Sequence, residues 1–235
     1  MVRTSKAGAE GWGGGSSGYQ ADPSLRHLYS GSRRNLPSRM DESVYKYALL
    51  GLLVLFFLVR GPYVYRSRIR KTAVKRSTPV DRMLMLLATV GMVGLPLVYS
   101  LTAFLDPFSI ALPDSVRLAG AAVYLAALAL MVMVLRELGG DWSMQVELKD
   151  NHRLVTSGPY RYVRHPMYTA FTLMMAGQLL LSANWLLGFF GIAAWTLLCI
   201  VRIPHEEAMM LEEFGDEYRT YGEGTGRLVP RFGQG

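Results

Sequence analysis

Five apolar stretches, separated by polar breaks, organise the chain from residue 44 onward. They cover about residues 44–65, 83–105, 116–135, 167–181 and 185–201. Their lengths approach the ~20 residues needed to cross a bilayer as helix. The first is the weakest, because Lys46 and Arg60 near its ends leave a short uncharged centre. The second carries no charge and contains Pro96, which predicts a kink of the kind packed membrane helices tolerate. The third is rich in Ala and Leu. Only Ser182, Ala183 and Asn184 separate the fourth from the fifth, which predicts a tight helical hairpin with its turn at one membrane surface. The expected fold is all-α: a polytopic transmembrane helical bundle of about five spans.

Composition agrees with that pattern. Hydrophobic residues make up 51% and charged residues 18%, against roughly 25% charged in a soluble globular domain. The formal net charge of +7 would suggest nucleic acid in a soluble protein. In so apolar a chain it points to basic loops beside anionic headgroups, so membrane lipids are the expected partner and nucleic acid is not. The only cysteine, Cys199, excludes an internal disulfide and a Cys-based metal site, and its place in an apolar run makes it a packing residue.

Three regions follow. Residues 1–42 read as a flexible tail, Gly/Ser-rich from Gly11 to Gly18 and broken by Pro23 and Pro37. Gly13 to Gly18 spells G-x-G-x-x-G without a strand before it or a helix after it, so it is no nucleotide site. No early apolar run with a small-residue cleavage site suggests a signal peptide. Residues 43–136 hold the first three spans and a basic loop. Residues 137–235 hold the hairpin 167–201, a polar strap before it and an amphipathic helix after it. Arg66, Arg68, Arg70, Lys71, Lys75 and Arg76 crowd the first loop, the second (106–114) has no Lys or Arg, and the third carries Lys149, Arg153, Arg161 and Arg164. The positive-inside rule then places the first and third loops and the C-terminus in the cytoplasm. Five spans put the N-terminus outside, against the basic residues Arg26, Arg33, Arg34 and Arg39 of the tail.

Candidate chemistry gathers after residue 152. The run from His152 to Tyr168 is too polar to span, and its two X-Pro steps force extended or turn geometry. Irregular backbone at a membrane surface persists where protein or a cavity satisfies it, and a ligand cavity is a natural reason. Arg202, Pro204, Glu206 and Glu207 then follow the fifth span. Pro204 is expected in the first turn of a new helix running to about Tyr221, with both glutamates complementing its positive N-terminus. Arg202 and Glu206 lie four apart, hence on one helical face. His205-Glu206-Glu207-Ala208-Met209 lacks the second histidine of a zinc-protease helix, and no metal is expected. Met131, Met133, Met174 and Met175 read as packing residues, and Tyr218 and Tyr221 as interfacial anchors.

These residues resemble the isoprenylcysteine carboxyl methyltransferase and phospholipid methyltransferase group. The shared pattern runs L-V-T-x-G-x-Y-x-x-x-R-H-P-x-Y from Leu154 to Tyr168, then a hydrophobic hairpin. R-x-x-x-E-E follows from Arg202 to Glu207, then F-G-x-x-Y-x-x-Y from Phe214 to Tyr221, then Arg227-Leu228-Val229-Pro230. It covers about the C-terminal third, and earlier parts share only their membrane helices. The resemblance implies S-adenosylmethionine as cofactor, held outside any Rossmann fold. His152, Arg153, Leu154 and Val155 would cradle it, with Gln145 just before them. Tyr160, His165, Pro166, Met167 and Tyr168 would line the pocket, and Glu206 would bind from the helix. Arg202 falls where the family places its acceptor-binding arginine, so Arg202, Glu206 and Glu207 are the catalytic candidates.

The implied reaction is methyl transfer to a lipophilic or prenylated acceptor. The site would face the cytoplasm of a multi-pass membrane protein, in the plasma membrane of a prokaryote or the endoplasmic reticulum of a eukaryote. Carboxyl, amine and thiol acceptors all fit the pattern. A sterol-reductase-like enzyme using NADPH is disfavoured by the short chain and the intact R-H-P-x-Y. A transporter or scaffold is disfavoured because the charges gather at one face rather than within the spans.

Overall fold

The apolar runs become helices whose ends meet in two polar layers. The computed structural model describes residues 40–69, 74–75, 78–138, 147–148 and 154–231. The expected tail, apart from residues 40–42, lies outside them, as do Arg70, Lys71, Arg76, Gln145, Lys149, His152 and Arg153. Helix α1 spans Glu42–Ile69. Helix α2, Pro79–Thr89, leads through a π-helical turn, Val90–Gly94, into α3, Leu95–Leu101. Helix α4 spans Asp114–Leu138, α5 Pro166–Ser182, α6 Trp185–Phe214 and α7 Asp216–Gly224. Val74–Lys75 (β1) pairs antiparallel with Glu147–Leu148 (β2), joining the first and third connections by backbone.

Among the described residues, four stretches are long and apolar enough to cross a membrane: Glu42–Tyr65, Pro79–Leu101, Asp114–Leu138 and Trp185–Phe214. The remaining apolar stretch forms α5, whose 17 residues reach about 26 Å, short of a hydrocarbon core of about 30 Å. It packs most extensively against α4. The two backbones meet at Gly120 and Gly177, where an added Cβ on Gly177 would stand 2.7 Å from the Gly120 carbonyl oxygen. Small residues let membrane helices approach this closely. Pro96 stands in the first turn of α3, directly after the π-helical turn, where its missing N–H is tolerated, and the Gln178 side chain donates to the Gly91 carbonyl of that turn at 2.9 Å.

The hairpin turn is buried. Ala183 takes the left-handed conformation (φ 48°), and the Asn184 side chain caps α6 by accepting from the Leu187 N–H at 3.1 Å. The Asn184 amide also donates to the Leu105 carbonyl at 2.6 Å, locking the turn to the second connection. Beside it sits Arg117, fully buried. Its guanidinium donates to both Glu42 carboxylate oxygens (2.6 and 2.8 Å), to the Leu181 and Ser182 carbonyls (3.0 and 3.2 Å) and to Tyr99 Oη (3.2 Å). This clasp ties α1, α3, α4 and the end of α5 together.

One expectation is overturned. No new helix starts at Pro204: α6 runs unbroken from Trp185 through Pro204 to Phe214. A proline removes one hydrogen bond and crowds one carbonyl, which a long, well-packed helix survives. The break falls instead at Gly215, whose φ of +54° suits glycine alone, and α7 starts after it. Glu206 and Glu207 therefore do not cap a helix N-terminus. Among the methionines, Met131, Met174 and Met175 are core residues, whereas Met133 faces outward, half-exposed.

Candidate active site

The end of the bundle opposite the Arg117 clasp gathers the ends of α1, α4 and α6 and the starts of α2 and α5. From Leu154 the strap runs past the end of α4, where the Ser157 hydroxyl bonds Glu137. A 3-10 turn at Gly158–Arg161 follows, begun by Pro159. The strap then lies beside the C-terminal segment. Arg164 N–H donates to the Gly226 carbonyl (2.8 Å), His165 N–H to the Arg227 carbonyl (3.0 Å) and Thr169 Oγ1 to the Leu228 carbonyl (2.7 Å). Tyr221 Oη holds the Tyr160 carbonyl at 2.7 Å, and the Tyr218 and Tyr221 rings pack 6.0 Å apart. These tyrosines were expected as interfacial anchors; Tyr218 is instead buried, and Tyr221 fastens the strap. Burial pushes the Tyr221 phenol up to about 12, although the hydrogen bond with Thr225 and the Arg164 charge oppose this. It therefore donates as a neutral hydroxyl.

Pro166 is the first residue of α5, and its fixed φ suits that position. His165 precedes it, buried, with its ring edge-on to Tyr168 at 5.6 Å. The continuous α6 carries Arg202, Glu206 and Glu207 up to this corner. Glu206 Oε1 accepts from Tyr168 Oη at 2.6 Å and pairs with Arg202 Nη2 at 3.2 Å, while Oε2 stands 3.7 Å from His165 Nδ1. Glu207 Oε1 accepts from Arg164 Nε at 3.1 Å and Arg227 Nε at 3.2 Å, and Oε2 pairs with Arg227 Nη2 at 2.7 Å. His165 Nε2 lies 3.4 Å from Glu207 without hydrogen-bond geometry. So the helix presents two adjacent carboxylates to one histidine. Glu206 faces the bundle and Glu207 faces the C-terminal segment. An open cavity of about 770 Å³ adjoins Glu207, lined by Arg164, Tyr218, Gly222, Thr225 and Arg227 among others.

Among the described residues, two buried atoms in this corner have no hydrogen-bond partner, His165 Nε2 and Arg202 Nε. A third lies across from them on α2. Asp81 closes a capping box with Thr78, yet its Oδ1 is buried and also lacks a partner. Leaving a buried polar atom unsatisfied costs about 1–3 kcal/mol, and such groups are uncommon away from functional sites.

The expected site residues thus divide. Tyr168, His165, Arg202, Glu206 and Glu207 converge directly. Burial, with the Glu206 and Glu137 carboxylates adding to it, pushes the Tyr160 phenol above its ordinary range. Pro166 and Met167 shape the first turn of α5, with Met167 packed on the core. Leu154 and Val155 open the described part of the strap, half-buried. Gln145, His152 and Arg153 lie outside the described residues. Sequence reasoning passed over Arg164 and Arg227 as site residues, although both stand inside the quoted motifs. It also missed Asp81 and the Trp195 ring, which packs 5.5 Å from Tyr168 and donates to Thr172 Oγ1 at 3.0 Å. Asp81 carried no local signal beyond a helix cap.

Comparison with known proteins finds one family model that overlaps this region. Residues 120–212 match the sequence model of the Isoprenylcysteine carboxyl methyltransferase (ICMT) family. Protein-S-isoprenylcysteine O-methyltransferase A of Arabidopsis thaliana is 32% identical over 88 residues, covering 37% of this chain and 44% of that protein. The Protein-S-isoprenylcysteine O-methyltransferase of Schizosaccharomyces pombe is 35% identical over 97 residues, covering 40% of this chain and 41% of that protein. The matches thus span under half the length of these relatives. A solved structure of the eukaryotic intramembrane Ras methyltransferase ICMT aligns over 67% of this chain and 54% of its own, with a TM-score of 0.45 and 24% identity. The stretch 120–212, which holds α5, Arg202, Glu206 and Glu207, is thus the part of the chain that is similar to the isoprenylcysteine carboxyl methyltransferase family.

Proposed function

We propose that the protein is a membrane methyltransferase that uses S-adenosylmethionine to methylate the carboxylate of an isoprenylcysteine-like or other lipophilic acceptor. The observation that carries this reading is the pair Glu206 and Glu207, held at one corner beside His165, Tyr168 and Arg202. In that corner His165 Nε2 and Arg202 Nε are buried without hydrogen-bond partners. The donor set suits the cofactor: carboxylates for a cationic, hydroxyl-rich ligand, aromatic rings for a flat base, and exposed strap backbone. Glu206, Tyr168, His165 and the strap from Leu154 would hold it.

When bound, S-adenosylmethionine supplies a sulfonium methyl: the acceptor oxygen bonds that carbon, the C–S bond breaks with its pair kept on sulfur, and methyl ester and S-adenosylhomocysteine result. A carboxylate acceptor is ionised at neutral pH, so no general base is needed. The chain's task is alignment, which can contribute about 7–11 kcal/mol in the best intramolecular cases. Arg202 offers the acceptor a planar fork. Tyr168 and Arg202 together fix Glu206, which keeps its charge aimed at one place. Because opposite charges are consumed as the ester forms, a water-poor corner at the membrane boundary suits the reaction. Two arginines close to the site, Arg202 and Arg164, disfavour an ammonium acceptor.

The site end joins the basic first and third loops, so by the positive-inside rule it faces the cytoplasm. The acceptor's lipid tail would enter between helices from the membrane. The test is radiolabelled methyl transfer by the detergent-purified protein to prenylcysteine, aminophospholipid and thiol acceptors, alongside calorimetry. Base-labile label on prenylcysteine alone, with S-adenosylhomocysteine bound and NADPH not, is the expected result. Label on the amine or thiol instead, or binding of NADPH, overturns it.

A further inference from the structure

We propose that the cavity beside Glu207 binds the phosphate of an anionic phospholipid of the cytoplasmic leaflet, at a site separate from the methyl-transfer corner. From the reading above the inference takes only the cytoplasmic orientation of this end of the bundle. It does not depend on which acceptor is methylated.

The cavity holds about 770 Å³, within the roughly 300–1,000 Å³ usual for ligand sites. It lies between the last turns of α6, helix α7, the strap and the C-terminal segment. Four arginines, Arg164, Arg219, Arg227 and Arg231, and two glutamates, Glu207 and Glu223, line it, an excess of two positive charges. Glu207 is already held between Arg164 and Arg227. Arg231 donates to a neutral acceptor, the Glu223 carbonyl, at 2.6 Å. Arg219 pairs at 3.3 Å with Asp216, whose side chain is 92% exposed, so that pairing is weakened by solvent. The excess therefore belongs chiefly to Arg219 and Arg231, which line the same space. A guanidinium fork suits a phosphate.

Depth points to a lipid as the carrier of that phosphate. Helix α6 starts at Trp185, beside the hairpin turn. At the usual rise per residue, Glu207 and Leu211 stand about 33 and about 39 Å along it, and tilt shortens both distances. A hydrocarbon core of about 30 Å within a bilayer of about 40–45 Å puts this level among the cytoplasmic headgroups. The apolar side chains agree. Leu211 lines the cavity and is 41% exposed, and Val229, between Arg227 and Arg231, is 69% exposed. The boundary between headgroups and acyl chains buries such groups while the arginines meet phosphate. Basic pockets at the cytoplasmic ends of membrane helices take anionic headgroups in this way. A soluble phosphate or an acidic peptide would meet the arginines but leave the leucine and valine uncovered.

The purified protein in uncharged detergent is titrated with phosphatidylglycerol and with phosphatidylcholine, and bound lipid is read by native mass spectrometry. Both lipids carry a phosphate, but choline cancels its charge. Phosphatidylglycerol should bind at least tenfold more tightly. Arg219→Gln combined with Arg231→Gln should cut that preference to threefold or less at an unchanged melting temperature, since each arginine at an anionic surface contributes about fivefold. Arg66→Gln combined with Arg68→Gln removes the same charge from the first basic loop and should leave at least half of the preference. Arg202→Lys should leave it within twofold, because the site is separate from the corner. No preference in the unaltered protein, or an unchanged one in the Arg219 and Arg231 variant, overturns the inference. So does an equal loss in the Arg66 and Arg68 control, which would mean diffuse attraction to a basic face, or a loss in Arg202→Lys. Displacement of the lipid by inorganic phosphate or hexaglutamate at equal concentration overturns it as well. If the double variant fails to fold, Arg219→Gln alone decides: a preference lowered at least twofold supports the site, and a smaller change overturns it. No step uses methyl transfer, so failure here and failure of the carboxyl-methylation reading are told apart.

Discussion

Arg117 and Arg202 are both buried arginines, at opposite ends of one bundle, and they are used differently. Arg117 is saturated: all three of its guanidinium nitrogens donate, to a carboxylate, two backbone carbonyls and a phenol. Its face also stacks on the Tyr45 ring at 3.5 Å. Among the described residues, Arg202 makes one ion pair, within its own helix, and buries Nε without a hydrogen bond. A buried arginine engaged at every nitrogen fixes architecture, because its bonds are already committed to the surrounding helices. One held on a single side keeps donors for something that arrives. Burial therefore does not distinguish the two residues; the completeness of their hydrogen bonding does.

The same substitution at both positions tests that contrast. Arg202→Lys keeps the charge and loses the fork. Turnover should fall about 10²- to 10³-fold, the range seen when one preorganised donor is lost, with S-adenosylhomocysteine affinity within a few-fold and thermal stability nearly unchanged. The checks are initial rates of methyl transfer, calorimetry and a melting curve in one detergent. Equal loss of turnover and cofactor affinity in a folded protein would remove the assigned role. Arg117→Lys should do the reverse. A lysine cannot meet Glu42, Tyr99 and the Leu181 and Ser182 carbonyls together, so the variant should lose about 2–3 kcal/mol of stability. Its rate per folded molecule should stay within twofold of the starting protein. A large rate defect at unchanged stability would mean that the two ends are not separable.

Much of this arrangement was legible along the chain, and the exceptions have physical causes. The spans were readable because a bilayer demands long apolar runs, and the hairpin because three residues leave no other path between two helices. The strap was readable from its prolines and polarity. That His165 would meet Glu206 came from motif order, and the geometry brings them to 3.7 Å. The helix boundary at Pro204 was misplaced because proline weighs heavily in local sequence but costs a packed helix only one hydrogen bond. That displacement matters, since it withdraws helix capping as an account of the two glutamates. Asp81 could not be assigned from sequence. Its place across from Arg202 depends on how α2 packs against α6, and periodicity shows which runs are apolar but not which residues meet. Arg164 and Arg227 were missed differently: both stood in recognised motifs, but as basic residues at a membrane surface they read as topology signals.

The smallest effect concerns the support of Arg202. Tyr168 Oη donates to the same Glu206 oxygen that Arg202 contacts. Tyr168→Phe keeps the ring, its contact with His165 and its packing near Trp195, and deletes only that donor. A hydrogen bond to a charged group contributes about 1.5–3 kcal/mol, but Glu206 keeps Arg202 as a partner and is partly reached by water, so the lower end applies. The expected result is about a tenfold loss in S-adenosylhomocysteine affinity, with stability changed by less than about 1 kcal/mol. Turnover at saturating cofactor should fall only a few-fold, because Arg202 remains in place to hold the acceptor. This separates Tyr168 from Arg202 by a binding constant rather than a rate. Should Tyr168→Phe reduce saturated turnover as far as Arg202→Lys does, Tyr168 acts on the acceptor's side of the corner, and the division of roles across Glu206 has to be redrawn.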